Sequence, residues 1–164
     1  MDISGWIIKR DKDDRSSKIA DNTIIKPGEY YLLVEDFNMD FPLDKDGDGV
    51  SLFNKSSKLI DHISWDRDIS RSYGRDSDGS DSWAEIANSP GQTNSLSENN
   101  LEGLDGKSIA NPYGDESDVV INEVESKDAS GGNDYIEIYN KGDKPVDISG
   151  WYVADDKDRI PGTD

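Results

Sequence analysis

Asp2-Ile3-Ser4-Gly5-Trp6 recurs as Asp147-Ile148-Ser149-Gly150-Trp151, and Asp11-Lys12-Asp13 recurs as Asp156-Lys157-Asp158, at one offset of 145 residues. An identity that includes Trp, continued in register by three further matches, marks a tandem repeat cut out of register. The chain starts inside one repeat and ends inside the next. With a period of 145 in a chain of 164 residues, every element type is present at least once.

Working outward from that pair, strand signals are short and many, and no long stretch keeps helical spacing. Residues 3–9 read as a first strand, with Gly5 marking a bulge or a close backbone approach. Residues 10–17 read as a charged loop. Thr23-Ile24-Ile25 leads into the turn Lys26-Pro27-Gly28-Glu29. Residues 30–35 are an almost continuous apolar run, which predicts a central strand or one buried on both faces. Residues 49–53 and 58–65 form a hairpin across Asn54-Lys55-Ser56-Ser57. In its second arm Asp61 shares a face with Ile63 and Trp65, so its carboxylate needs a partner or a bulge. Ser72-Tyr73-Gly74-Arg75 precedes an Asp/Ser/Gly loop, residues 83–86 are a short strand, and Ser89-Pro90-Gly91-Gln92-Thr93-Asn94 closes the segment. Residues 119–124 and 135–139 are two further strands. Tyr135, Glu137 and Tyr139 alternate with Ile136 and Ile138 in a half-buried pattern.

Composition narrows the function classes. The net charge is −18, with 32% apolar and 33% charged residues. Phosphate backbones are held by Lys and Arg, so this surface repels nucleic acid and anionic membranes. No apolar run approaches the roughly 20 residues of a membrane helix. With no cysteine, disulfides and thiolate metal sites are excluded. Basic partners and hard divalent cations remain open.

Several motifs together resemble the lamin tail domain family. They are Val120-Ile121-Asn122-Glu123-Val124, Asp134-Tyr135-Ile136-Glu137-Ile138-Tyr139-Asn140 and Pro145-Val146-Asp147-Ile148-Ser149-Gly150-Trp151. The first 94 residues resemble the remainder of such a domain, through Asp2–Trp6, Lys26–Tyr30, Gly47–Leu52, Ile60–Trp65, Ser72–Arg75 and Ser89–Asn94. The resemblance implies an all-β, immunoglobulin-like β-sandwich, in line with the many short strands. It also implies the prokaryotic secreted or cell-surface type. The family's first two strands come last here, so the strand order is either circularly permuted or completed by strand exchange with another copy. The resulting division is 1–94 as the latter part of one domain, 95–117 as linker, and 118–164 as the opening part of the next. The linker's relaxed span of roughly 25 Å allows closure within one chain. The two copies of Asp-Ile-Ser-Gly-Trp compete for one place, and the first, continuous with the later strands, is expected to take it.

The chemistry-bearing residues are few. Asp44, Asp46 and Asp48, with Gly47 and Gly49, resemble the start of a calcium loop, but Lys55 stands where its closing acidic residue belongs. The same residues serve equally as a hairpin turn. The loops 11–14 and 76–81 read as solvated acid. His62 is the one histidine, and its neighbour Asp61 points to the other strand face. Glu123 and Glu137 either pair as acid and base or line the outer face of paired strands. Asn54-Lys55-Ser56 fits a glycosylation acceptor. Trp6, Trp65, Trp83 and Trp151 sit in strand patterns and suit core packing before ligand stacking. No catalytic residue and no cofactor is assigned. The leading expectation is a non-catalytic interaction or spacer module with a protein or glycan partner. A metal-dependent hydrolase, a calcium-binding adhesion module and a chromatin-type ligand module are the alternatives.

Overall fold

A computed structural model describes residues 15–66, 68, 69, 71–95, 118–126 and 132–155. Within them the protein is all β, in eleven strands: β1 (Ser16–Lys18), β2 (Ile24–Ile25), β3 (Tyr30–Val34), β4 (Asp48–Phe53), β5 (Leu59–Trp65), β6 (Ser72–Arg75), β7 (Trp83–Ile86), β8 (Val119–Glu125), β9 (Tyr135–Asn140), β10 (Val146–Asp147) and β11 (Tyr152–Asp155). None of the described residues forms a helix long and apolar enough to cross a membrane.

The strands make two main layers. One sheet runs β1-β11-β4-β5 and the other β3-β9-β8-β6-β7, while β10 and β2 pair as a small ribbon. Every pairing between these strands is antiparallel. Val50, Leu52, Ile63, Trp65 and Val153 of the first layer share one buried cluster with Leu33, Ile121, Val124, Ile136 and Ile138 of the second. Period-two alternation explains the choice: Ile136 and Ile138 face inward while Tyr135, Glu137 and Tyr139 face the other way. Met39, Phe41 and Leu43 alternate along a segment with no strand partner, and all three are buried in the same core. This is an immunoglobulin-like β-sandwich.

The strand order is permuted within one chain. β8 and β9, from the late part of the sequence, lie between β3 and β6 from the early part. Likewise β11 lies between β1 and β4.

Four details differ from expectation. β3, predicted central, is an edge strand, and most of its residues are only half buried. Continuous burial belongs instead to β8, which lies between two neighbours and is covered on its outer side. Residues 16–18, expected in a loop, pair with β11, because an edge strand needs only backbone groups and one inward side chain, here Ser17. Ser72–Arg75, which does precede the Asp/Ser/Gly loop, is itself a strand, β6, whose Gly74 lies close to Ile86 and the Asn122 carbonyl. Finally, residues 147–155 stand in the single place for Asp-Ile-Ser-Gly-Trp. There Tyr152 stacks on Phe53 at 4.6 Å, a contact that Ile7 at the same repeat position has no ring to make. The first copy, with Trp6 and residues 3–9, lies outside the described residues, as does most of the stretch read as linker.

Candidate functional site

The densest polar arrangement covers the outer face of the five-stranded sheet. After β7 the chain turns back at residues 87–95 and lies across β8 and β9. Its backbone and short side chains supply donors. Ser89 gives its N–H (3.0 Å) and its hydroxyl (2.8 Å) to the Glu123 carboxylate. Gly91 N–H donates to Glu137 at 2.6 Å, and the Asn88 amide donates to Glu125 at 2.6 Å. The Asn94 amide donates to the carbonyls of Arg75 (2.9 Å) and Asn122 (3.1 Å). The turn is enabled by Gly91, whose φ of 71° lies in the left-handed region.

Beneath this strap the acidic side chains are saturated. Glu123 and Glu137 are cross-strand partners, and both are fully buried. Glu123 also accepts the Tyr135 hydroxyl, which in turn meets Ser72 at 2.8 Å. Burial and the Glu123 charge push the Tyr135 phenol far up from its ordinary value. Glu137 accepts the Asn122 amide at 2.9 Å. Burial raises its carboxyl from 4.5 to about 7, against the pull of its Asn122 and Gly91 donors. Asp78 extends the network by accepting from Tyr30 (2.7 Å), Asn94 N–H (3.0 Å) and Asn122 (3.0 Å). Burial, with Asp78 beside it, raises Tyr30 to about 12. The two glutamates thus lie on the outer face, as one reading held, but under a cover. Among the described residues nothing leaves room beside them for a water or a sugar bond, which acid–base chemistry requires.

The carboxylate of Asp61, in line with core residues, has both a partner and an irregularity. The β4–β5 register shifts between Leu52 and Phe53, beside it. Arg75 reaches it from the other sheet at 2.8 Å, with both side chains buried. The guanidinium also donates to the carbonyls of Ile121 (2.7 Å) and Ser80, and lies 5.0 Å from the Trp83 ring centre. Ile121 N–H completes the carboxylate at 2.9 Å. This is an interlayer clamp. Only its full hydrogen bonding offsets the desolvation of two charges. It also fixes Asp61 away from His62, whose Nδ1 lies 2.9 Å from the Ser51 hydroxyl on the facing strand. The other oxygen of Asp61 accepts the His62 backbone N–H at 2.9 Å.

The candidate calcium ligands are held differently from one another. Asp48 is buried and accepts from Asp44 N–H (2.8 Å) and Gly49 N–H (2.9 Å). Asp44 is exposed and accepts Asp46 N–H at 3.0 Å, while exposed Asp46 meets the Lys45 ammonium. Each carboxylate therefore ties the turn locally. Among the described residues no three His, Cys, Asp or Glu side chains form a metal-ligating group. Gly47, at φ 137°, abuts the Trp65 carbonyl and supplies the sharp bend. The Trp65 indole N–H donates to the Asp44 carbonyl at 3.0 Å, so Trp65 is a packing residue; Trp83 and Trp151 are buried too.

Sequence reasoning missed the tip at residues 35–42. The N–H groups of Phe37, Asn38 and Met39 all donate to the Val34 carbonyl at 3.1 Å, winding a tight turn through Asp36 at φ 62°. It holds the Phe37 ring 87% exposed. Beside it lies a cleft of about 340 Å³ lined by Arg15, Asp36, Phe37, Asp40, Phe41 and Pro42. Asp134 lies nearby, donor-bonded by Leu43 N–H at 2.6 Å and raised by burial from 3.8 to about 6. The only sequence signal for this tip is a Phe between Asp36 and Asn38, where turn residues flank an aromatic that no strand can bury.

No curated protein and no solved structure matches the chain. Residues 113–162 match the family model described as Lamin Tail Domain, a span that takes in β8 to β11 and leaves β1 to β7 outside it.

Proposed function

We propose that the protein is a non-catalytic interaction or spacer module of an extracellular or cell-surface protein, of the prokaryotic lamin-tail type. One observation carries this reading. The buried carboxylates that would do chemistry are committed to holding the strap and the two layers together, while an aromatic ring is displayed at an open cleft. The family match and the sandwich fold support it; the location and the prokaryotic type rest on the sequence resemblance. The repeated motif supports a parent protein with tandem copies, in which residues 118–164 open a second domain and complete the sheets of residues 1–94.

The tip is the contact surface in this reading. Phe37, with Asp36 and Asp40 beside it, suits a cationic side chain of a protein partner, which meets ring and carboxylate together. A sugar ring would stack on the same face. The test has two parts. Hydrolysis of ester, phosphate and glycoside chromogens, with and without divalent metal, is expected to stay at background; turnover revives the hydrolase. Binding of a Lys/Arg-rich peptide and of an oligosaccharide panel is then read for the protein and for Phe37→Ala. Binding lost at least about fivefold in the variant fits a hot-spot aromatic. Equal binding by both proteins removes the tip from the reading.

A further inference from the structure

Residues 87–95 carry no charged side chain, and all of them but Ser89 and Asn94 are exposed. Hydrogen bonds, rather than apolar burial, hold this strap down. Beneath it Glu123, Glu137 and Asp78 take their hydrogen bonds, among the described residues, from neutral donors alone: Ser89, Gly91, Asn94, Asn122, Tyr30 and Tyr135. The elements around them add negative charge. β8 brings Glu125, which accepts the Asn88 amide, while β9 brings Tyr135 and Tyr139 and β3 brings Tyr30. In the 76–81 loop Asp76 is bound within its own turn by Ser80, and the exposed Lys141 lies against Gly79. Arg75 of β6 is committed to Asp61 in the interlayer clamp. Glu85 of β7 is paired with Tyr73, on the alternation opposite to Gly74.

The hydrogens of this network are one short unless a further proton is present. Asn94 spends both amide hydrogens on the carbonyls of Arg75 and Asn122, so its Oδ1 is the atom 3.0 Å from the Ser89 hydroxyl. That hydroxyl also lies 2.8 Å from Glu123 Oε2. One hydroxyl hydrogen thus faces two acceptors. A proton on Glu123 Oε2 completes the set: the carboxyl donates to Ser89 Oγ, and Ser89 donates to Asn94 Oδ1. Glu123 Oε1 meanwhile keeps Ser89 N–H and the Tyr135 hydroxyl as donors. The same proton relieves the repulsion between Glu123 and Glu137, which are fully buried cross-strand partners. The two carboxyls therefore titrate as one unit.

We propose that residues 87–95 are a proton-held latch: a single proton shared by Glu123 and Glu137 keeps them seated on β8 and β9, and its loss to water lifts them while both sheets stay folded. Ionised, Glu123 competes with Asn94 for the Ser89 hydroxyl, and two buried carboxylates face each other. Burial holds Glu137 at about 7 against an ordinary 4.5, and lifting returns it to water. The seated form thus keeps a proton that the lifted form sheds. Seating is fully favoured below 4.5, weakens as pH rises to about 7 and is constant above that. Tyr30 and Tyr135 stay protonated throughout, since burial moves both phenols up. The latch is independent of what the tip binds.

The test is amide hydrogen exchange of the full chain, read by NMR and corrected for the unstructured rate at each pH. Protection of the Ser89 and Gly91 amides is expected to fall at least about tenfold between pH near 5 and near 7.5. Low urea should leave that exchange unchanged, because the opening is local, while the amides of the β4–β5 hairpin respond to urea through global unfolding. Glu123→Gln supplies a permanent donor to Ser89 Oγ in place of the proton. Its strap amides are expected to stay protected across the same pH range, within about twofold of the value near pH 5. Glu137→Gln removes the facing charge and should flatten the pH dependence as well. Strap protection that does not change with pH overturns the proposal. So do strap amides that match the hairpin amides in protection and urea response, which would mean global unfolding alone. A fall with pH that survives in both variants overturns it too. Failure of Glu123→Gln to fold would also contradict it, because the amide reproduces the donor that the latch requires.

Discussion

Two acidic regions of this molecule use the same side-chain chemistry to opposite ends. On the outer face of the five-stranded sheet, Glu123 and Glu137 are fully buried beneath residues 87–95 and take donors from Ser89, Gly91, Asn122 and Tyr135. In residues 35–48, by contrast, Asp36, Asp44 and Asp46 are exposed, and Asp36 adjoins an uncovered Phe37. The difference is donor supply. A carboxylate is tolerated inside when several N–H and O–H groups converge on it, and the strap exists to deliver them. Where the chain bends tightly at Asp36 and Gly47, few donors remain, and the acids stay in water. Buried acid here joins strands and layers, and exposed acid stays hydrated or ties its own turn.

The comparison breaks most visibly at the interlayer clamp. Asp61→Ala leaves Arg75 charged and buried, and is expected to cost roughly 3–5 kcal/mol in urea unfolding. Replacing both, with Asp61→Leu and Arg75→Met, should recover most of that loss. If the single change costs under about 1 kcal/mol, the pair is not the desolvated clamp described. Next comes the strap. Ser89→Ala removes a hydroxyl donor from Glu123 and should cost about 1–3 kcal/mol, since the acceptor stays buried.

A more graded effect is pH dependence. Burial holds Glu137 at about 7 in the folded chain against an ordinary 4.5, and Asp134 at about 6 against 3.8. Between those values the folded chain keeps protons that the unfolded chain has lost. This contribution is full below the ordinary values and is lost as pH rises through 6 to 7. The urea midpoint should therefore be higher at pH near 5.5 than near 8, and Glu137→Gln should flatten the slope. An equally steep slope in the variant would assign it elsewhere.

The smallest effects lie at the open end and sharpen the contrast there. Asp48→Ala should cost about 1–2 kcal/mol, because the N–H groups of Asp44 and Gly49 lose their acceptor. Asp46→Ala should change stability by less than about 0.5 kcal/mol, since its contact with Lys45 is solvent-exposed. Equal costs at the two positions would mean that the turn is held by something other than Asp48.

Alternation and turn chemistry made much of this fold readable. The β4–β5 hairpin and the alternation of β9 follow directly from period-two patterning and from Pro, Gly and Asn positions. β6 was not readable as a strand, because Gly74 and Arg75 are poor strand residues in isolation. They suit their places only against Ile86 and Asp61, which the fold supplies. β3 was misplaced because an apolar run reports hydrophobicity, not the number of neighbours. The buried state of Glu123 was equally hidden, since its covering donors lie 34 residues away at Ser89. Asp61 was the informative case: a carboxylate in line with core residues called for a partner, and Arg75 is that partner. The Phe37 tip gave almost no signal, because exposure depends on what the rest of the chain leaves uncovered.

The central claim is that one chain closes its own sandwich, with β8, β9 and β11 filling sheets begun by β1, β3, β4 and β6. Molar mass in solution by light scattering, with and without calcium, tests it most directly. The account predicts the single-chain mass of 18.2 kDa in both conditions. A dimer would contradict it, showing the late strands completing a neighbouring chain, and a mass that changes with calcium would return Asp44, Asp46 and Asp48 to the role of metal ligands.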